Sequence, residues 1–188
     1  MSEIALRKYN NEINDMIDNE LLVDAITHCL HILKFFPKHV DTYRLLGKAY
    51  LESKHFQNAS DVFQRVLSSH PDDFISNVGM SIIYETNKEY DSAIHYMERA
   101  FEEQPSNLAI QEEMKRLFNL RDGVEPTKVR LTRGALARMY VHGNLYDQAE
   151  AELLAILNES PKRPELLTLL ADTYYLQNKK SEAADVSM

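Results

Sequence analysis

Three prolines of this 188-residue chain stand at equal intervals: Pro37, Pro71 and Pro105 are each 34 residues apart. Proline lacks a backbone amide hydrogen and disfavours helical geometry in the residue before it, so each of these positions is expected to end a helix. A fixed period of this length indicates one supersecondary unit repeated along the chain. A later proline, Pro161, follows Pro105 after one further period plus 22 residues. The sequence therefore predicts a repeat array interrupted by one insertion.

The repeating unit is clearest between residues 40 and 71. Apolar side chains recur there at spacings of three and four in two runs, Tyr43, Leu46, Ala49 and Tyr50, and then Ala59, Val62, Phe63, Val66 and Leu67. Such stripes are typical of two amphipathic helices, here joined by the polar turn at residues 54–58. Gly47 and Ala59 are small enough for the two helices to approach closely, and Tyr50 and Phe63 are expected to fill the space beside them.

The order of these residues resembles the tetratricopeptide repeat. The matching positions are Tyr43, Leu46, Gly47, Tyr50, Ala59, Phe63 and Pro71. The same register recurs, with substitutions, over residues 6–39, 74–107 and 130–163 and in part over 164–188. The resemblance therefore predicts a single array over residues 1–188. It implies an all-α fold, an α-α superhelix (solenoid) of about four and a half helix-turn-helix repeats whose first helices line a concave groove.

Residues 108–129 form the insertion between the third and fourth matches. Its first half predicts one helix with a single apolar face, made by Ile110, Met114, Leu117 and Phe118. Its second half contains Gly123 and Pro126 and predicts a loop. The insertion thus supplies one helix where the repeat scheme needs two. We expect a local break in the superhelix, with this helix either capping the first three repeats or replacing half of a degenerate repeat.

The balance of charges bears on the class of partner. The chain has 29 acidic and 21 basic residues, a formal charge of −8, so we expect no general binding to nucleic acid or to an anionic membrane. No stretch approaches the roughly 18 apolar residues of a membrane span. The first 20 residues carry acids and amides and no apolar run, so neither a secretory signal nor a transit peptide is expected. Cys29 is the only cysteine, which rules out an intramolecular disulfide. These features predict a cytoplasmic location.

Signals for catalysis and for cofactors are weak. The chain carries no phosphate-binding glycine loop, no dinucleotide-binding fingerprint and no metalloprotease or nucleophile-elbow motif, so we expect no enzyme activity and no cofactor. Asp24, His28 and His31 lie near one helical face and could in principle hold a transition metal. The favoured interpretation is three polar side chains on a solvated face, and no metal site is predicted. Cys29 stands where the repeat usually has phenylalanine, so a buried, unreactive thiol is expected.

The resemblance also implies a function, because tetratricopeptide repeats bind peptides or extended segments of other proteins in their groove. We therefore predict a protein-protein interaction scaffold. The groove positions that the resemblance implies as partner-binding residues are Asn10, Asn14, Arg44, Lys48, Val78 and Ile82. Apolar Val78 and Ile82 beside polar neighbours suit an amphipathic partner segment. The subgroup that clamps the C-terminal carboxylate of heat-shock chaperones is rejected, because Leu45, Ile75 and Gly79 replace residues that the clamp needs.

A second candidate surface is basic. Between residues 115 and 138 the chain has a local charge of +5, from Lys115, Arg116, Arg121, Lys128, Arg130, Arg133 and Arg138 against Asp122 and Glu125. Lys128, Arg130, Arg133 and Arg138 are the candidate residues for attracting an acidic partner or an acidic surface of another copy. The alternative is that these cations pair with acidic neighbours such as Glu102, Glu103, Glu112 and Glu113.

The runner-up function is a structural module that self-assembles or joins the domains of a larger protein. The last repeat has a strongly apolar first helix and a short second helix. Terminal repeats need a polar outer face, so this end is expected to associate further. Either more repeats continue the array, or two copies pack through Leu166, Leu170 and Tyr174.

Overall fold

The computed structural model describes residues 6–186, and all regular structure in that range is α-helical. The all-α, helical-repeat fold class predicted from the sequence is therefore confirmed. The chain divides into two compact units, Met1–Glu89 and Tyr90–Met188. The N-terminal unit contains α1 (Leu6–Asp18), α2 (Leu22–Phe35), α3 (Val40–Glu52), α4 (Phe56–Leu67) and α5 (Phe74–Thr86). The C-terminal unit contains α6 (Tyr90–Glu103), α7 (Leu108–Asp122), α8 (Arg133–His142), α9 (Tyr146–Glu159), α10 (Pro164–Leu176) and α11 (Lys180–Val186).

In the N-terminal unit the helices pair as antiparallel hairpins. Helix α1 packs against α2, and α3 packs against α4. Helix α3 also packs against α1 and α5, so α1, α3 and α5 lie side by side on one face of this unit. The two apolar stripes predicted between residues 40 and 71 lie on α3 and α4. Buried side chains from the first three helices form one core, which contains Ile13, Ile17, Ala25, Cys29, Ile32, Leu46 and Ala49.

The Phe63 ring is held between two glycines of the N-terminal unit. Phe63 is 1% exposed, and a Cβ atom built on either Gly47 or Gly79 would overlap its ring. The close approach at Gly47 follows the sequence prediction. The contact of Gly79 with the other edge of the same ring was not predicted, since position 79 carries no repeat signature. Tyr50 is half-buried and its ring meets the His55 ring edge to face.

The turns that follow α1, α3 and α5 share one backbone feature. Glu20, Lys54 and Lys88 have φ angles of 61°, 60° and 62°. A left-handed backbone costs roughly 1–2 kcal/mol outside glycine, so the packing of the helices must offset it. In the C-terminal unit Asn144 and Asn178 have the same conformation, with φ angles of 58° and 65°. Asparagine tolerates this region better than most residues.

The residues before α3, α5 and α7 also repeat in register. His39, Asp73 and Asn107 are each 34 residues apart, and each side chain accepts a hydrogen bond from a backbone amide in the first turn. The donors are the amides of Thr42 at 3.3 Å, Ser76 at 2.9 Å and Ala109 at 3.1 Å. Such caps satisfy amides that have no partner within the helix. Helix α7 therefore begins in the same way as the first helix of a repeat.

The helix predicted for the first half of the insertion is α7, which ends at Gly123 with a φ angle of 72°. Residues 123–132 are the predicted loop and lead directly to α8, without a second helix to pair with α7. Helix α6 packs against both α7 and α8. Glycine favours the left-handed conformation needed at this helix end. The insertion thus adds α7, which lacks the second helix of a repeat hairpin, and a ten-residue connection to the C-terminal unit.

Buried charges join α6 to the segments that follow the insertion. The Glu102 carboxylate pairs with Arg163, and it accepts a hydrogen bond from the Thr132 hydroxyl at 3.0 Å. Glu165 pairs with Arg99 and Arg163, both at 2.7 Å. A Cβ atom on Gly134 would overlap the Glu102 carboxyl group. A larger residue at position 134 would therefore have to displace the Glu102 carboxylate from its ion pairs.

The C-terminal repeat requires one correction. Leu166, Leu170 and Tyr174 are 0%, 2% and 9% exposed, so packing of two copies through these three side chains is wrong. They lie in an internal core with residues of α8 and α9, namely Ala137, Leu153 and Ile156. The cause is that α10 packs against α9 and α11, whose Ala183 and Val186 cover the same core. The exposed apolar side chains of α10 are Tyr175 and Leu176 instead.

Candidate functional site

The first helices of the N-terminal unit line a groove of about 710 Å³, which we call the α1–α3 groove. Its lining residues are Arg7, Asn10, Asn11 and Asn14 from α1, His39, Asp41, Arg44, Leu45 and Lys48 from the start and body of α3, and Ile75 from α5. On each of these helices the lining residues are mostly three or four positions apart and therefore share one helical face. The faces of the neighbouring first helices together form the wall of the groove. Four predicted contact residues, Asn10, Asn14, Arg44 and Lys48, meet in this groove.

The amides on α1 take part in hydrogen bonds to α3. The Asn10 carbonyl oxygen accepts from the Thr42 hydroxyl at 3.1 Å, and Asn10 is 8% exposed. The Asn14 carbonyl oxygen accepts from the Lys48 ammonium at 3.1 Å, and that ammonium also pairs with Asp18 at 2.8 Å. These bonds fix the spacing of α1 and α3, and they leave Asn10 largely structural.

Arg44 is engaged within the N-terminal unit. Its guanidinium donates to Asp41 at 2.6 Å and, through Nε, to the Asp73 carboxylate at 2.6 Å. Asp73 is buried and also caps α5 through the Ser76 amide. Arg44 therefore holds α3 against the start of α5, and only 30% of its side chain is exposed to a partner.

The two predicted apolar contacts are not in this groove. Val78 and Ile82 are half-buried on α5 and are not among the groove's lining residues. The apolar part of the groove comes from Leu45 and from Ile75, which is 46% exposed. Asn11, which is exposed in the groove, was missed by the sequence reasoning. The signal was present, because Asn11 lies between Asn10 and Asn14 on an amphipathic helix.

The basic surface divides into paired and unpaired cations. Lys115 pairs with Glu112 at 2.7 Å, Arg116 with Glu113 at 2.5 Å, Arg121 with Asp122 at 2.7 Å and Arg138 with Glu103 at 2.8 Å. Arg138 is thus tied to α6 rather than presented to a partner. Within residues 6–186, Lys128, Arg130 and Arg133 have no ion pair, and all three are exposed. Pairing with acidic neighbours therefore holds for Lys115, Arg116, Arg121 and Arg138. Attraction of an acidic partner is left as the interpretation for Lys128, Arg130 and Arg133.

Lys128 and Arg130 lie at a second depression of about 610 Å³, which we call the insertion pocket. The pocket is formed by α6, α7 and the loop at residues 123–132. Its apolar walls are Met114, Phe118, Val124, Pro126, Val129 and Leu131. Arg133, in the first turn of α8, does not line this pocket.

One of the residues considered for metal binding, His28, has a side-chain partner in the N-terminal unit. Across residues 6–186, no group of three or more histidine, cysteine, aspartate and glutamate side chains is arranged to hold a metal ion. The His28 Nδ1 atom lies 2.5 Å from the Tyr9 hydroxyl oxygen. Cys29 is fully buried, and burial raises the pKa of its thiol to about 12.

Among the helices described, none is both long and apolar enough to cross a membrane.

Paired amphipathic helices with a groove along their first members define a helical-repeat interaction module. Residues 44–107 match the tetratricopeptide repeat family model, and the repeated helical hairpins described above agree with that match. That fold generally serves as a scaffold and not as a catalyst. No curated protein sequence matches the chain significantly.

Solved structures show the same fold at low sequence identity. The Naa15/Naa10 complex bound to HypK-THB matches with 19% identity, a TM-score of 0.53 and 96% coverage of this chain, which spans 24% of that chain. A tetratricopeptide repeat protein from Parabacteroides merdae matches with 18% identity, a TM-score of 0.52 and coverages of 96% and 76%. MamA from Desulfovibrio magneticus matches with 15% identity, a TM-score of 0.50 and coverages of 96% and 89%.

Proposed function

We propose that this protein is an interaction scaffold whose α1–α3 groove binds a peptide or helical segment of another protein. The observation that carries the proposal is the composition of the groove, which places asparagine amides beside two apolar side chains. Asn11 carries both donors and an acceptor, as a peptide backbone does, whereas the Asn14 amide is already engaged by Lys48 and Asp18. Leu45 and Ile75 supply an apolar surface for one side chain of the partner. Arg7 is exposed and, among residues 6–186, has no ion pair.

The match of residues 44–107 to the tetratricopeptide repeat supports the general part of this proposal, since such repeats are protein-protein interaction modules. The Naa15/Naa10 complex bound to HypK-THB contains such a fold within an assembly of proteins, although its identity to this chain is only 19%.

Part of the proposal is a cytoplasmic location. A single buried, unpaired cysteine suits a reducing compartment.

A peptide-display selection tests the groove. Random peptides are selected on the wild-type protein and then measured against the double variant Asn11→Ala with Ile75→Asp. Both positions are exposed, so the variant should fold normally. The selected peptides should bind it at least about tenfold more weakly, because the variant loses an amide and places a charge at the apolar anchor.

The matched control carries the same two kinds of change away from the groove, Asn58→Ala with Leu154→Asp. Both residues are exposed, on α4 and α9 respectively. Peptide binding by this control should equal that of wild type. If the selected peptides bind the groove variant and the control equally well, the α1–α3 groove is not the binding site.

Self-assembly is the second candidate function. The observation in its favour is the exposure of four apolar side chains on and just after α2, namely Val23, Leu30, Phe35 and Phe36. Such surfaces are typical of association sites. Sedimentation velocity over a hundredfold range of concentration distinguishes the two candidates. A mass that rises with concentration and reverts to the monomer in Phe35→Ser with Phe36→Ser supports assembly.

A further inference from the structure

The insertion pocket combines an apolar interior with exposed loop residues. Met114 and Phe118 of α7 form its inner wall, and Met114 is only 2% exposed. Val124 and Leu131 from the loop complete the apolar lining, although they are 71% and 49% exposed. Apolar groups left in water at the edge of a depression gain free energy when a second apolar group covers them. A volume of about 610 Å³ is ample for one large side chain and part of its backbone.

The charge at the rim of the pocket is opposite to that of the chain. The charged residues that line the pocket are three cations, Arg121, Lys128 and Arg130, and two anions, Glu98 and Asp122, so the net charge of the lining is +1. The chain as a whole carries −8. Exposed cations without internal partners attract acidic groups over about a Debye length.

The acidic residues of the pocket restrict how a partner can be oriented. Asp122 is engaged by the Arg121 guanidinium at 2.7 and 2.8 Å. Glu98 of α6 is half-buried in the wall, and burial raises the pKa of its carboxyl group. A ligand carboxylate close to Glu98 is disfavoured, whereas a backbone amide donor is favoured there. Acidic groups of a partner therefore belong at Lys128 and Arg130, on the outer rim.

We propose that the insertion pocket is a second binding site, which takes a bulky apolar side chain from an acidic segment of another protein. The apolar side chain contacts Met114, Phe118 and Leu131. The flanking acidic side chains of the segment pair with Lys128 and Arg130, and Arg133 adds long-range attraction. Charge complementarity selects this occupant, because a basic segment would meet two unpaired cations at the rim. The site is separate from the α1–α3 groove and does not depend on it.

Fluorescent heptapeptides provide the direct test. Each probe has three alternating glutamate and aspartate residues on either side of a central leucine, phenylalanine or glycine, with blocked ends. Their dissociation constants are measured by polarisation at low ionic strength on the full chain. The leucine or phenylalanine probe should bind at least about tenfold more tightly than the glycine probe. A probe with lysine in place of every acid should not bind.

Protein variants locate the binding. Lys128→Glu with Arg130→Glu should weaken the acidic probes at least about tenfold, and so should Val124→Asp, which places a charge in the apolar lining. The matched control is Lys162→Glu with Lys180→Glu, two exposed cations elsewhere in the C-terminal unit. Its affinity should be that of wild type. All the changes are at exposed residues, and circular dichroism verifies that each variant is folded.

Three results would overturn the proposal. The first is an absence of binding by every acidic probe at about 1 mM protein. The second is an equal loss of affinity in the rim variant and in its control, which would mean that net charge alone attracts the probes. The third is self-association of the wild type that Lys128→Glu with Arg130→Glu abolishes, since the occupant would then be another copy of this chain.

Discussion

The Arg44 guanidinium pairs with the Asp73 carboxylate, which is only 2% exposed and also caps α5. This bond joins α3 to the N-cap residue of α5. A buried carboxylate that loses its cation keeps the cost of its desolvation. A residue that lines the α1–α3 groove thus also stabilises the stack of first helices.

We expect Arg44→Ala to lower the free energy of unfolding by about 1–3 kcal/mol, below the full cost of breaking a buried pair because Arg44 is 30% exposed. Lys48→Ala, whose pair with Asp18 is more exposed, should cost no more than about 1 kcal/mol. Urea unfolding followed by circular dichroism measures both. Equal effects of the two changes would mean that the buried position of Asp73 is irrelevant to stability.

The Phe63 ring between Gly47 and Gly79 gives a second prediction. Phe63→Ala should cost about 3–5 kcal/mol through the cavity it leaves. Gly79→Ala should cost about 1–3 kcal/mol, because its methyl group would overlap the ring. In the double variant Gly79→Ala with Phe63→Leu the losses should be less than additive, since leucine leaves room for the methyl group. Strict additivity of the denaturation free energies would contradict the close contact.

The internal position of Leu166 gives a third prediction. Leu166→Ala should lower the free energy of unfolding by about 2–5 kcal/mol without changing the mass in solution. Leu176→Ala is the control on the same helix, and it should change stability by only about 0.5 kcal/mol because Leu176 is 52% exposed. Light scattering and thermal unfolding provide the two measurements. A stable variant with an altered mass would place Leu166 at an interface.

Cys29 provides a prediction for pH dependence. Its pKa is raised from 9.0 to about 12 by burial, so the native state keeps a proton that the unfolded state loses between these values. Stability of the wild type should therefore fall, relative to Cys29→Ala, as the pH rises from 9 towards 12. A parallel pH dependence of the two proteins would contradict this.

The same burial predicts an unreactive thiol. At pH 8 the native protein should react with a thiol reagent only as fast as it unfolds, because the thiolate fraction is about one in ten thousand. In concentrated guanidinium chloride the reaction should be prompt. Rapid modification of the native protein would show that Cys29 is accessible.

Helix positions could be derived from the sequence because they depend on local interactions. The prolines and the apolar spacing of three and four marked α3, α4, α7 and the loop after Gly123. Each of these signals operates within a few residues, through backbone geometry and the burial of one helical face. The fold class followed from their repetition.

Tertiary contacts control which charged and apolar side chains can reach a partner. Arg44 and Arg138 were predicted as contact residues, yet each pairs with a carboxylate far away in the sequence, Asp73 and Glu103 respectively. Lys128 and Arg130 lie in the same basic stretch as Arg138, yet they have no ion pair among residues 6–186. The repeated hairpins follow from the sequence alone, since the helical period is local. Only the packed structure decided which side chains those hairpins neutralise or bury, because ion pairs and cores form between residues far apart in the chain.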